Sequence, residues 1–295
     1  MTTARRTRAS SAGTPSARTP FARVPVARVP LALALAAGAA ALLVLSACSS
    51  GGAADDQTAS GTPVASPTAA PTGEITVLAA ASLTETFDAL AADFEAANPG
   101  TTVTISYGGS SALAQQIVAG SPVDDFFSAS AATMETVTDA GLAEGEPATF
   151  ARNALEIAVP AGNPGGVTSL ADLASPDVTV ALCAAEVPCG ALATTVLEAE
   201  GVSVTPATLE PDVKSALTKV ELGEVDAALV YETDVAAAGD SVEGIEVGDA
   251  STPTTSYLAA RLADAPDPDL AEAFLAFVLS STGQDALADA GFRVG

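Results

Sequence analysis

An α/β protein of two similar lobes, each a mainly parallel sheet flanked by helices, is the fold class this sequence predicts. Three observations predict it. Short apolar runs alternate with helix-period segments in two successive series, the pattern of sheets covered by helices on both faces. Short polar breaks, most followed by an amphipathic helical pattern, close the runs: Ala79-Ala80-Ala81-Ser82-Leu83, Gly108-Gly109-Ser110-Ser111, Val187-Pro188-Cys189-Gly190, Glu210-Pro211-Asp212-Val213 and Val230-Tyr231-Glu232-Thr233-Asp234. The chain has 295 residues, 48% hydrophobic and 4% aromatic, which implies cores packed from small residues and length enough for one large or two medium lobes.

The first elements are not part of that body. Residues 1–47 read as a signal peptide: Arg5, Arg6, Arg8, Arg18, Arg23 and Arg28 form a basic n-region, and Leu31 to Val44 form an apolar stretch short for a membrane span. It ends in Leu45-Ser46-Ala47-Cys48, which resembles a lipobox, so that cleavage before Cys48 would leave its thiol to carry diacylglycerol. An ordinary signal peptide or a membrane anchor with an incidental cysteine is the alternative, and the Arg5-Arg6 pair does not decide the export route. Residues 48–72 are rich in Ser, Gly, Ala, Thr and Pro without periodicity, as a flexible tether is, with a reach of roughly 25–30 Å.

In the body, Glu74 to Ala80 reads as a buried strand and Leu83 to Asn98 as a helix with apolar residues at helical spacing, stopped by Asn98-Pro99-Gly100. Thr101 to Tyr107 alternates as a strand, Ser111 to Ala119 reads as a helix, Asp124 to Ser128 as a strand and Ala132 to Ala140 as a helix. A second series follows Phe150-Ala151-Arg152-Asn153. Strands are expected at Leu155 to Pro160, Val178 to Leu182 and Ala227 to Tyr231, with helices at Ala191 to Glu200 and Val213 to Glu221. Tyr257 to Leu262 reads as a further strand, and Pro268 to Leu279 and Thr282 to Ala290 as closing helices. These readings place lobe 1 at 73–152 plus about 262–295, and lobe 2 at about 153–261.

Composition removes whole classes of function. With no His in the chain, a Ser-His-Asp hydrolase, a Cys-His protease and a His-ligated zinc site are excluded as ordinarily built. Without the leader, five basic residues (Arg152, Lys214, Lys219, Arg261, Arg293) face all 36 acidic ones, a body that repels nucleic acid and anionic lipid. Yet the polar breaks offer hydroxyls and free N–H groups at helix starts, where anions bind. Global repulsion is screened over about 8–10 Å, whereas contact hydrogen bonds to a charged ligand contribute roughly 1.5–3 kcal/mol each, so local donors outweigh it.

The body resembles the molybdate-binding components of ABC importers, within the two-lobed periplasmic binding proteins (type II-like). The residues that carry the resemblance are Ile75-Thr76-Val77-Leu78-Ala79-Ala80-Ala81-Ser82-Leu83-Thr84, Gly109-Ser110-Ser111-Ala112-Leu113-Ala114-Gln115-Gln116-Ile117, Asn163-Pro164, Val187-Pro188-Cys189-Gly190, Val225 to Asp234, and Ser281-Thr282-Gly283-Gln284. The resemblance covers residues 74 to 292 and implies a ligand cleft between the lobes. It implies that Ser82 and Ser110 supply hydroxyls, Cys189 and Val213 each a main-chain N–H, and Tyr231 its phenol, to a molybdate or tungstate dianion. It further implies permease and ATPase partners, no cofactor and no bare metal ion, no catalysis, and a lipid-anchored protein on the extracytoplasmic face. A monomer is expected, since hinge closure needs no symmetric partner.

Each site residue also has a plainer reading. Ser82 with Glu85 fits a capping box, Ser110 and Ser111 fit caps and either could face a ligand, Val213 fits a helix face behind an Asp212 N-cap, and Tyr231 fits a half-buried core aromatic. Cys189 stands where many relatives have Ala, a change a main-chain donor tolerates. With Cys183 six residues before it and an exported compartment, a disulfide closing the loop is expected; a redox-active or metal-binding pair is the alternative. Sulfate, another tetrahedral dianion, is the alternative ligand. A lipid-anchored thiol oxidoreductase and an organic-solute binder are further alternatives; the first lacks a His base, and the second is at odds with a chain that has no Trp and three Tyr.

Overall fold

The computed structural model describes residues 71–248 and 251–295. The signal peptide, Cys48 and nearly all of the tether lie outside the described residues.

The chain begins with β1 (Gly73–Ala80), a short 3-10 turn (Ala81–Leu83), α1 (Thr84–Ala97), β2 (Thr101–Gly108), α2 (Ser110–Val118), β3 (Asp125–Ser128), α3 (Ala131–Asp139) and β4 (Ala148–Asn153). After the single residue Ala154 it continues as β5 (Leu155–Pro160), then β6 (Val180–Cys183), α4 (Pro188–Ala199), β7 (Thr208–Glu210), α5 (Val213–Glu221), β8 (Ala227–Tyr231), α6 (Glu232–Ala238) and β9 (Val242–Glu246). It ends with β10 (Thr255–Arg261), α7 (Pro268–Leu279) and α8 (Ser281–Asp289).

Two five-stranded sheets result, in the orders β2-β1-β3-β10-β4 and β7-β6-β8-β5-β9. The first three strands of each are parallel, and the fourth is inverted against both neighbours. The inverted strand is the one that has just crossed over: β5 enters the second sheet straight from β4, and β10 enters the first after β9. The same layout thus occurs twice, joined by two crossings. β10 belongs to the first sheet, so the return falls between Glu246 and Thr255 and not near residue 262. Alternation along 255–261 marks a strand but carries no mark of the sheet it joins. The sequence reading also passed over β4, β7, β9 and α6; β7 has only three residues and β9 an exposed face, so neither makes an apolar run.

The two cores differ in kind. The first centres on aromatic rings, with Phe87, Phe94, Phe127, Phe150, Tyr257, Phe274 and Phe292 linked edge to face at 4.8–6.1 Å. The second is built of Val, Leu, Ala and Ile around one aromatic, Tyr231. Small-residue packing therefore describes the second lobe and the α2–α3 side of the first, where Leu78, Leu113, Ala114, Ile117 and Val137 cluster.

Candidate functional site

Helix starts divide into two groups. Away from the cleft, Ser130 caps α3 by accepting from Thr133 N–H, Asp267 caps α7 from Leu270 N–H, and Ser280 caps α8 from Gly283 N–H. At the carboxyl ends of β1, β2 and β6, by contrast, α1, α2 and α4 start without a side-chain cap. In open α/β sheets ligands bind at this end of the strands, where the first-turn N–H groups lack intrahelical partners.

These uncapped starts, with the Asp212-capped start of α5, converge on one small cavity between the sheets. Its lining includes Ser82, Ser110, Cys189, Val213 and Tyr231, together with Gly109, Ala129 and Asp212. It offers about 10 Å³ of room for the centres of water-sized atoms, about the room of one water. The five residues are at most 5% exposed, so a hydrogen bond made here is desolvated.

Ser82 lies in the 3-10 turn after β1, and it does not cap α1. Its Oγ sits 2.7 Å from Tyr257 Oη, while Glu85 turns outward to Lys214, so the S-x-x-E spacing produces no capping box. Ser110 is the first residue of α2, and its Oγ accepts from Ala129 N–H at 3.0 Å, which leaves its own proton free to point into the cavity. Ser111 instead donates to the Glu186 carbonyl across the cleft at 2.6 Å. Cys189 is the second residue of α4 behind Pro188, and Val213 the first of α5, where Asp212 Oδ1 is already engaged by Ser215 N–H at 2.8 Å. None of the N–H groups of Ser82, Ser110, Cys189 and Val213 finds an acceptor among the described residues.

Tyr231 ends β8 with its hydroxyl buried and without a hydrogen-bond partner among the described residues. A buried unpaired hydroxyl costs about 1–3 kcal/mol, which an acceptor in the cavity would recover. Burial, with Tyr257 and Asp234 nearby, holds this phenol protonated well above its ordinary range, so it acts as a donor. Asp234 fixes its backbone, accepting from Tyr231 N–H at 3.2 Å. Asp234 is fully buried and its carboxyl rises to about 6, because desolvation exceeds the opposing pull of Lys214, 3.1 Å away. Lys214 also binds Glu85 of α1 at 2.9 Å, and these carboxylates hold it protonated above its usual range although burial alone would lower it.

The Cys183–Cys189 disulfide ties the end of β6 to the start of α4, with Cα atoms 5.8 Å apart. Both cysteines are 3% exposed, so neither offers a free nucleophile. Two glycines make the architecture possible. A Cβ at Gly190 would collide with the Ala184 carbonyl inside this loop, and a Cβ at Gly109 would collide with the Pro211 carbonyl of the opposite lobe.

Two wider grooves are less suited to a compact ligand. One, about 480 Å³, is lined by Ala89, Ala236, Ala286 and their neighbours from α1, α6 and α8; the other, about 470 Å³, forms a vestibule with Tyr107, Lys214 and Lys219. Among the described residues no group of three or more acidic or Cys side chains could hold a metal ion, and no helix is long and apolar enough to cross a membrane.

Two mixed sheets, crossed twice by the chain and enclosing a donor-lined cavity, define a two-lobed solute-binding protein. The model of the bacterial extracellular solute-binding proteins matches residues 75–293. The molybdate-binding protein ModA of Mycobacterium tuberculosis (strain ATCC 25618 / H37Rv) is 37% identical over 235 residues, 79% of this chain and 90% of that protein. The chain belongs to this family. Among solved structures, the substrate-binding domain of a putative molybdenum ABC transporter from Clostridium difficile is 27% identical with a TM-score of 0.57, over 75% of this chain and 99% of that one. The periplasmic molybdate-binding protein of Azotobacter vinelandii, 22% identical, has a TM-score of 0.65 over 75% and 99%, a likeness of fold.

Proposed function

We propose that this chain captures molybdate, and tungstate with it, between its lobes and delivers the anion to the permease and ATPase of an ABC importer. The observation that carries this reading is the donor-only cavity: four unengaged N–H groups, two serine hydroxyls with filled oxygens or close donors, and the unpartnered Tyr231 phenol. Its one carboxylate, Asp212, is engaged at Ser215. A protonated oxyanion such as hydrogen phosphate needs an acceptor and meets only a carboxylate already engaged by Ser215, whereas a fully deprotonated dianion needs donors alone. The ModA relatives support the same ligand. A cavity this small disfavours an organic solute, whose pockets run to about 300–1,000 Å³.

Capture follows from where the donors sit. Ser82 and Ser110 belong to the first lobe, and Cys189, Val213 and Tyr231 to the second, so only the closed form satisfies the anion on all sides. Closure then marks the loaded state for the permease. The protein works as a monomer held to the outer face of the membrane by lipid on Cys48, and its role is binding, not catalysis. Sulfate is rejected by size, because a smaller anion leaves donors unmet at about 1–3 kcal/mol each.

The test is the thermal midpoint with molybdate, tungstate, sulfate and phosphate at equal concentration. A ligand at a hundred times its dissociation constant stabilises the fold by about 2.7 kcal/mol. Shifts with molybdate and tungstate alone are expected. An equal shift with sulfate reassigns the ligand, and no shift with any of them refutes the reading.

A further inference from the structure

Tyr257 lies on β10 in the first lobe, is fully buried, and meets the site at the Ser82 hydroxyl and, edge to face at 6.1 Å, at the Tyr231 ring. Its hydroxyl is one link in a buried chain that reaches the crossover. Asn153, the last residue of β4, accepts from Ala154 N–H through Oδ1 at 3.0 Å, and this fixes which way its amide faces. Its Nδ2 then donates to Thr233 Oγ1 at 2.8 Å and, over a longer 3.5 Å, to Tyr257 Oη. A phenol oxygen that accepts from Asn153 keeps its single proton for another partner. Ser82 Oγ, 2.7 Å away, is the nearest acceptor for it, with the Tyr231 hydroxyl as the other neighbour.

The two serines of the cavity then match. Ser110 Oγ is filled by Ala129 N–H, and Ser82 Oγ is filled in the same way when Tyr257 gives it its proton. With its oxygen occupied, each serine turns its own proton toward the ligand. In the opposite sense, Ser82 would donate to Tyr257 and present lone pairs to the anion. Burial raises the Tyr257 phenol well above its ordinary range, so its proton stays in place.

We propose that Tyr257, oriented by Asn153, is a positioning residue that fixes the proton sense of the Ser82 hydroxyl and so sets the preference of the cavity for fully deprotonated oxyanions. This rests on the proposed oxyanion function and adds a determinant of its selectivity outside the ligand-contacting set. Removing the Tyr257 hydroxyl frees Ser82 to rotate and to accept, and a protonated oxyanion then gains the acceptor it lacked.

The test is calorimetric titration of the full-length protein and of Tyr257→Phe with molybdate, sulfate and phosphate. Sulfate and phosphate are similar tetrahedral anions, and near neutral pH only phosphate carries a proton, so their ratio isolates that proton. Tyr257→Phe keeps the ring that packs against Phe150 and Phe292. The expected result is a fall of about tenfold or more in discrimination against phosphate, measured against both sulfate and molybdate. Asn153→Asp is the second variant: its carboxylate draws the Tyr257 proton away from Ser82 and should shift the same ratio. Unchanged ratios in both variants, including a case where all anions weaken together, would overturn the proposal. Failure of the unaltered protein to bind any of the three anions would instead overturn the oxyanion reading itself.

Discussion

The two lobes reach one cavity with different chemistry. The first adds side chains to its main-chain N–H groups: the hydroxyls of Ser82 and Ser110, each aimed by a neighbour that occupies or approaches its oxygen. The second brings main chain: the N–H groups of Cys189 and Val213 at the starts of α4 and α5, plus the Tyr231 phenol. Side-chain donors depend on residue identity and on the groups behind them. Main-chain donors depend on where a helix begins, and so tolerate a cysteine or a valine. The cores differ in part, aromatic behind Ser82 and aliphatic behind the N–H groups of the second lobe.

The comparison breaks most completely if the lobes cannot meet. Gly109 has ordinary extended dihedrals, so Gly109→Ala leaves its own lobe unstrained, yet the added Cβ meets the Pro211 carbonyl. Affinity for molybdate should fall by more than a hundredfold with little change in the ligand-free melting temperature. Calorimetry paired with melting curves checks this, and near-normal binding would mean that the observed contact between lobes is not the bound form.

Next in size is a test of main-chain donation. Val213 is the first residue of α5, where proline is tolerated, and Asp212 before it is extended, as a residue preceding proline must be. Val213→Pro removes the N–H and should weaken binding by the worth of a hydrogen bond to a charge, about 1.5–3 kcal/mol. Val213→Ala, which trims the side chain but keeps the N–H, should cost stability and leave affinity almost unchanged. Equal affinity losses in the two variants would place the contribution of Val213 in packing.

How much of this was legible in the residues follows the same division. Strands and helices with a buried face, such as 155–160, 213–221 and 268–279, read directly from their periodicity. β7 and β9 did not, because three residues or one exposed face leave no pattern. The five cavity residues were readable only through family resemblance, since a main-chain N–H has no side-chain signature and Ser82 looks locally like a cap. Tyr257 was missed as part of the site altogether. Its hydroxyl meets Ser82 across 175 residues of sequence, a pairing fixed by the insertion of β10 beside β3 and visible in no local pattern.

The disulfide gives a smaller and sharper contrast. It closes a loop of only six residues, for which chain entropy predicts about 2 kcal/mol of stability. The loop is also held by Ala184 N–H to Glu210 and Val187 N–H to Ala184. Reduction, or a double Cys183→Ser and Cys189→Ser change, should therefore lower the melting temperature and weaken molybdate binding only several-fold, through a looser Cys189 N–H. Reduced and oxidised protein titrated side by side decide this. A hundredfold loss would mean that the bridge itself builds the site.

The smallest expected effect concerns a buried acid in each lobe. In the second, Asp234 is compensated by Lys214 and Tyr231 N–H; in the first, Asp125 is fully buried and both its oxygens lack a hydrogen-bond partner among the described residues. Desolvation, reinforced by Asp124 and Glu272 against the weaker pull of Arg261, raises the Asp125 carboxyl well above its ordinary value of 3.8. Below that value both folded and unfolded states are protonated and the site costs nothing extra. As pH rises past about 4 the unfolded acid ionises while the folded one keeps its proton, so the native state loses stability with rising pH. Asp125→Asn removes that loss and should stabilise the protein near pH 7. The gain should shrink toward pH 4, and molybdate affinity should not change. Denaturant unfolding across pH 4–8 measures it, and a loss of stability that grows with rising pH would show that Asp125 is ionised in the fold and paired with Arg261.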